Sequence, residues 1–184
     1  ENNFEIIILD NLSNSKIEVI KKIKTLAKKD FEFIEGDIRD SKLLRNLFEK
    51  NIIDSVIHFA GLKATSESEI KPLDYYDNNV LGSLVLLQEM KLANVKSIIF
   101  SSSASVYGNS LTTKCKEETQ LKPISVYGKT KLIGEKIIQK FCKKNRVDSL
   151  IIYPCNKKII YVILGAKLAR SKNIFFYINI KKPT

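Results

Sequence analysis

Two short stretches of this 184-residue chain carry residue types able to move a proton. One is Tyr127-Gly128-Lys129-Thr130-Lys131, which sets a phenol and an ammonium four residues apart. The other is Ser101-Ser102-Ser103-Ala104-Ser105-Val106-Tyr107-Gly108, a cluster of hydroxyls directly after the apolar run Ser97-Ile98-Ile99-Phe100. On a helix, Tyr127 and Lys131 lie on one face, one turn apart. The positive charge favours phenolate, which predicts a tyrosine pKa below its usual value of about 10. A serine hydroxyl from the strand end could share a substrate proton with that phenol. Serine, tyrosine and lysine together form a general acid/base unit suited to the proton of an alcohol. The Tyr-x-x-x-Lys spacing alone is common, and most such pairs are a ring packed under a lysine stem. The hydroxyl-rich strand end is what strengthens the chemical reading.

Periodicity gives the elements that must position these groups. Residues 4–9 are a continuous apolar run ending at Asp10, as expected of a strand covered on both faces. Residues 15–29 place Ile17, Ile20, Ile23, Leu26 and Ala27 on one helical face, with Ser15 as the expected cap. A second strand is predicted over 31–34, a helix over 41–50 and a third strand over 54–59. A long helix over 73–93, a strand over 98–100, a helix over 127–141 and a strand over 150–153 follow. Strands alternate with helices and no tandem hairpins occur. That pattern predicts an α/β fold, a doubly wound parallel sheet of the Rossmann type. Ligands of such sheets bind beyond the carboxyl ends of the strands, where Asp10, Asp37, Gly61 and Ser101-Ser102-Ser103 fall.

Composition sets bounds. The chain is 44% hydrophobic and 28% charged, a globular balance. No apolar run reaches the length of a membrane span, and residues 1–4 have neither the basic region nor the apolar core of a signal peptide. Cys115, Cys142 and Cys155 are odd in number and unclustered, which suits a reducing cytoplasm and no metal site. A single histidine, His58, disfavours Ser-His-Asp chemistry and His-rich metal centres. The net charge of +11 invites a nucleic-acid reading. Its distribution opposes one: residues 1–135 are balanced, and the whole excess lies in residues 136–184, where Asp148 is the only acid. Neither a nucleic acid nor a membrane is expected as a partner.

Each strand-end residue has a plain reading beside the functional one. Asp10 could be a turn residue, or an acid that accepts hydrogen bonds from adenosine ribose hydroxyls and so selects NAD. Asp37 could cap a turn. Gly61 could be a tight strand exit, or a place where backbone approaches a phosphate. His58 reads as a packed core histidine. Their regular placement is what joins them into one site.

Several stretches then carry a family resemblance. They are Leu9-Asp10-Asn11-Leu12-Ser13-Asn14-Ser15, Gly36-Asp37-Ile38-Arg39-Asp40 and Val56-Ile57-His58-Phe59-Ala60-Gly61-Leu62-Lys63-Ala64. Lys71-Pro72-Leu73-Asp74-Tyr75-Tyr76-Asp77-Asn78-Asn79-Val80 and the serine and Tyr-Lys stretches complete the set. In order over residues 6–136, these resemble the UDP-glucose 4-epimerase branch of the extended short-chain dehydrogenase/reductase family. The resemblance implies NAD as cofactor, held by Asp10, Asn11, Asn14 and Ser15 at the adenosine half and by Asp37 and Ile38 at the adenine. It implies Phe59, Ala60, Gly61, Leu62, Lys63 and Asn78 along the phosphates and nicotinamide. It further implies Ser103 on the sugar's 4-hydroxyl, Tyr127 as base, and Lys131 on the nicotinamide ribose. The implied reaction is inversion at C4 of a UDP-hexose, such as interconversion of UDP-glucose and UDP-galactose. A UDP-sugar substrate and a homodimer through helices 73–93 and 127–141 come with it.

The departures are equally specific. The family opens with a strand, a Gly-x-x-Gly-x-x-Gly turn and a helix that holds the pyrophosphate. No such glycine pattern is present here, and counting strands places residues 4–9 at the family's second strand. That predicts two unpaired interior sheet edges and loss of the pyrophosphate site. Beyond residue 153 the resemblance stops. The expected organisation is a partial NAD-binding Rossmann domain over 1–153 and a divergent basic tail over 154–184. Two other readings stand beside the epimerase: an inactive fragment or noncatalytic interaction remnant, and a sugar-nucleotide dehydratase or reductase. Ser103-Ala104, where dehydratases carry an acidic pair, disfavours the last.

Overall fold

A computed structural model describes residues 5–27, 30–112, 119–153 and 173–177. Its strands are β1 (Glu5–Asp10), β2 (Glu32–Glu35), β3 (Ser55–His58), β4 (Ser97–Ser101), β5 (Asp148–Ile152) and β6 (Asn173–Tyr177). They form one six-stranded sheet in the order β2-β1-β6-β3-β4-β5. Every pairing is parallel. The predicted strands are therefore present, shifted at their ends by a residue or two.

The middle of the sheet overturns an expectation. The inner edges of β1 and β3 are not unpaired, because β6 lies between them. Ile7 and Val56 flank Phe175 from either side, and Ile8 and Ile57 flank Phe176. The physical reason is plain: an interior edge presents a row of unmet amide and carbonyl groups, and an apolar segment of extended backbone satisfies both rows at once. Residues 173–177 thus belong to the sheet, although the sequence reading put them in the tail. The remainder of 154–184 lies outside the described residues, as do Cys115 and Cys155.

The helices are α1 (Ile17–Ala27), α2 (Ser41–Lys50), α3 (Thr65–Ile70), α4 (Pro72–Tyr75), α5 (Gly82–Leu92) and α6 (Val126–Asn145). Ser15 does not cap α1; its hydroxyl donates to Asp10 Oδ1 at 2.9 Å instead. Asp40 caps α2, accepting from the amides of Lys42 and Leu43. The single helix predicted over 73–93 is broken into α4, a π-helical turn (Tyr76–Leu81) and α5. One face of the sheet packs Leu9, Val56, Ile98 and Phe100 against Leu44 and Leu47 of α2, Leu86 and Met90 of α5, and Ile138 of α6. Ile8, Ile57 and Ile99, which alternate with these, are buried as well. Burial of each such side chain contributes about 1.5–3 kcal/mol relative to exposure. Arg45 of α2 clamps the buried Glu89 of α5 through two hydrogen bonds, at 3.0 and 2.9 Å.

Candidate active site

The carboxyl ends of β3 and β4 and the start of α6 bring the proton-moving residues together. Tyr127 sits in the first turn of α6, whose early amides are all engaged. Val126 N donates to Glu69 Oε1 at 2.7 Å, Tyr127 N to Ser68 Oγ at 3.1 Å and Gly128 N to the cap Ser125 Oγ at 3.0 Å. Gly128 has no room for a β-carbon, which would lie 2.7 Å from the Ser105 carbonyl oxygen. Only glycine lets the helix start press this closely on the chain leaving β4. The Tyr75 ring packs edge-on to Tyr127, with centroids 6.4 Å apart.

The buried phenol of Tyr127 is hydrogen-bonded with the Ser103 side chain. Ser103 Oγ also pairs with Ser105 Oγ. Lys131, 5% exposed, donates from Nζ to the Ser101 carbonyl at 3.0 Å and lies 5.0 Å from the Phe100 ring centre. Its Nζ is 6.0 Å from the Tyr127 ring centre. The expectation of a lowered tyrosine pKa is not met. Burial pushes the phenol up, and the bond to Ser103 only partly offsets this. The lysine is bonded to the Ser101 carbonyl, and its own pKa falls to about 8 because burial disfavours its charge while Glu135 opposes the fall.

The loop after β3 meets this cluster. Gly61 has φ +153, and a β-carbon there would lie 3.1 Å from Asn79 Oδ1 and 3.4 Å from Lys131 Nζ. The side chain holding this loop is Asn79, which the sequence reading passed over in favour of its neighbour Asn78. Asn79 accepts from Leu62 N at 2.8 Å and donates to Leu62 O at 2.9 Å, as a paired strand would. Its amide also donates to Thr130 Oγ1 at 3.2 Å. Asn78 donates to Asn79 Oδ1 at 3.0 Å and is half-buried. The signal for Asn79 was the doubled asparagine; the π-helical turn that aims it is not visible in sequence. Phe59 is partly buried, Ala60 and Gly61 buried, and Lys63 exposed.

At the end of β1 the second half of the site is built from acids and amides. Asp10 is 1% exposed; its Oδ1 accepts from Leu12 N at 2.8 Å and from Ser15 Oγ. Burial raises its pKa, with those two bonds opposing. Asp10 Oδ2 and Asn14 Oδ1 are buried without a hydrogen-bond partner. Two orphan acceptors at the two ends of one short loop segment fit the hydroxyl groups of a ribose. Asn11 donates to Asp37 Oδ2 at 2.9 Å, and Arg39 grips Asp37 through Nε at 2.9 Å and Nη2 at 2.7 Å. That guanidinium lowers Asp37 to about 2, and its Nη1 also bonds Asp77. The Ile38 side chain is buried beside Gly82 in the core. Among the described residues no cluster of His, Cys, Asp and Glu could hold a metal ion.

A doubly wound parallel sheet with this acid/base cluster at its carboxyl edge is the arrangement of the short-chain dehydrogenase/reductase class. Within it the chain belongs to the family described as GDP-mannose 4,6 dehydratase, whose model matches residues 1–161. The chain is 48% identical over 149 residues to UDP-glucose 4-epimerase of Neisseria meningitidis serogroup A, covering 80% of this chain and 44% of that protein. It is 48% identical over 136 residues to UDP-glucose 4-epimerase of Dictyostelium discoideum, covering 74% of this chain and 40% of that one. A crystal structure of UDP-glucose 4-epimerase from Bifidobacterium longum, in complex with NAD+ and UDP, superposes with a TM-score of 0.78 at 40% identity. That superposition covers 81% of this chain and 45% of the other. The UDP-Glc/GlcNAc 4-epimerase of Campylobacter jejuni gives a TM-score of 0.78 at 25% identity, over 97% of this chain and 71% of that one. The chain spans less than half the length of the first two relatives.

Proposed function

We propose that this chain is the cofactor-binding portion of an NAD-dependent epimerase acting at C4 of a UDP-hexose. The observation that carries the reading is the joining of Ser103, Tyr127 and Lys131 at one end of the strand edge to the orphan acceptors of Asp10 and Asn14 at the other. In this reading Asp10, Asn11, Asn14 and Ser15 hold the adenosine half of the dinucleotide. Asp37 and Ile38 border the adenine. Phe59, Ala60, Gly61, Leu62, Lys63 and Asn78 line the remainder. When bound, NAD supplies a hydride acceptor and then a hydride donor. The chain's own residues manage the proton. Tyr127, after losing its own proton, takes this one from the 4-hydroxyl as the carbonyl forms and becomes the phenol again; Ser103 shares that hydrogen bond, and the positive charge of Lys131 favours the phenolate that must be present first. The proton returns from Tyr127 when C4 is reduced on its other face.

The test is interconversion of UDP-galactose and UDP-glucose by the purified chain with NAD+. Tyr127→Phe should lower turnover by about 10²–10⁴-fold, the range for a lost general base, while NAD+ binding is retained. A wild-type chain that binds no NAD+ would refute the reading.

The reading extends to a homodimer through the 73–93 and 127–141 helices, supported by Leu73, Leu81 and Leu84, which are large and exposed on that run. Sedimentation at micromolar concentration should give a dimer; a monomer at every concentration would remove the proposal. A reducing, cytoplasmic setting suits the free, buried thiol of Cys142, and cell fractionation tests it. No helix among the described residues is long and apolar enough to cross a membrane.

A further inference from the structure

Tyr127, Lys131 and Glu135 are all buried and succeed one another by single turns along α6. Each engages the chain at the end of β4. Tyr127 meets the Ser103 hydroxyl, Lys131 donates to the Ser101 carbonyl, and Glu135 accepts from the Ser102 hydroxyl. Three successive serines are thus gripped by three successive turns of one helix. Glu135 is 2% exposed, and its other oxygen accepts from Tyr153 Oη at 3.0 Å, just past β5. The Tyr153 ring packs on Tyr107, with centroids 5.7 Å apart, which restrains that donor. A carboxylate so far from water is costly unless it is hydrogen-bonded and paired. Ser102 and Tyr153 provide the hydrogen bonds. Lys131, one turn earlier, provides the opposite charge.

We infer that Glu135 is a positioning residue of the acid/base unit: held by Ser102 and Tyr153, it fixes residues 101–103 against α6 and supplies the counter-charge that keeps the Lys131 ammonium in the site. Its catalytic meaning rests on the proposed epimerase reading; its geometry does not. Lys131 stands near 8, so a small loss of support removes its charge at neutral pH. The other titratable groups around it give no such support. His58 of β3 is buried, and its pKa of about 3 leaves it neutral. Tyr127, on α6 itself, is pushed toward its neutral form by burial.

The experiment follows the Lys131 side chain directly, by NMR of the full chain carrying isotope-labelled lysine, with the signal assigned by its loss in Lys131→Arg. Glu135→Gln keeps the shape and removes the charge. It should move the Lys131 titration down by about one pH unit or more, the scale of a lost neighbouring charge, and Glu135→Asp should restore part of it. Tyr153→Phe removes one donor and leaves the charge, so it should move Lys131 the same way by less. In turnover, the alkaline limb of the pH profile should shift down in Glu135→Gln and return with Glu135→Asp. An unmoved Lys131 titration in folded Glu135→Gln overturns the inference, and so does an unmoved titration in Tyr153→Phe should the glutamine variant fail to fold. A wild-type chain without NAD+ binding or turnover would count against the epimerase reading alone, since the lysine titration is read without either.

Discussion

His58 shows how a residue's neighbours decide what it does. It is 1% exposed, its Nε2 pairs with Ser83 Oγ at 2.8 Å, and its Nδ1 has no hydrogen-bond partner. Burial first, and then the Lys131 charge, hold its pKa at about 3 against an ordinary 6.5. The unfolded chain therefore takes up a proton before the folded one does. Stability should be fully present above pH 6.5 and should fall as pH drops toward 3. Melting temperatures across this range should decline less steeply for His58→Gln than for wild type; equal slopes would show that the histidine does not set the acid response. The sequence made His58 legible as a core residue, because it stands inside an apolar run. It likewise showed the Tyr127–Lys131 face, which depends only on helical spacing. It did not show that Lys131 would bond the Ser101 carbonyl, nor that burial would raise the Tyr127 phenol, since both depend on how close α6 comes to β4. Glu135 and Asn79 were missed for the same reason: each acts on a residue distant in sequence.

At the level of elements, local signals gave α2 and α6 well and failed where tertiary contact overrode them. The predicted long helix over 73–93 is interrupted because Pro72 starts a short helix and the π-helical turn that follows aims Asn79 at Leu62. A continuous apolar period carries no mark of such a turn. β6 is the clearest case. Asn173-Ile174-Phe175-Phe176-Tyr177 has the composition of a strand, yet its partners are β1 and β3, far back along the chain. Phe175 is paired on both sides, opposite Ile7 and opposite Val56. A proline there lacks the amide that a central strand must donate. Phe175→Pro should abolish cooperative thermal unfolding, or lower the midpoint sharply; an unchanged transition by circular dichroism would show that β6 is dispensable to the sheet.

On the scale of the whole molecule, the sheet order β2-β1-β6-β3-β4-β5 is a doubly wound one, with the position between β1 and β3 filled from far along the chain. The class of fold was legible because alternation of strand and helix is a local property. The closure of its centre was not, because Glu5 pairs with Asn173 and nothing local links them. This has a consequence for synthesis. Among the described strands, β1 with β2 and β3 with β4 and β5 are joined only through β6, the last of the six to be synthesised. Such high contact order slows folding, and open edges invite association with other chains. Nascent chains arrested before residue 173 should be cut readily by protease and held by chaperones, whereas released chains resist cleavage. Equal protection of the two would mean that the sheet is joined by other means.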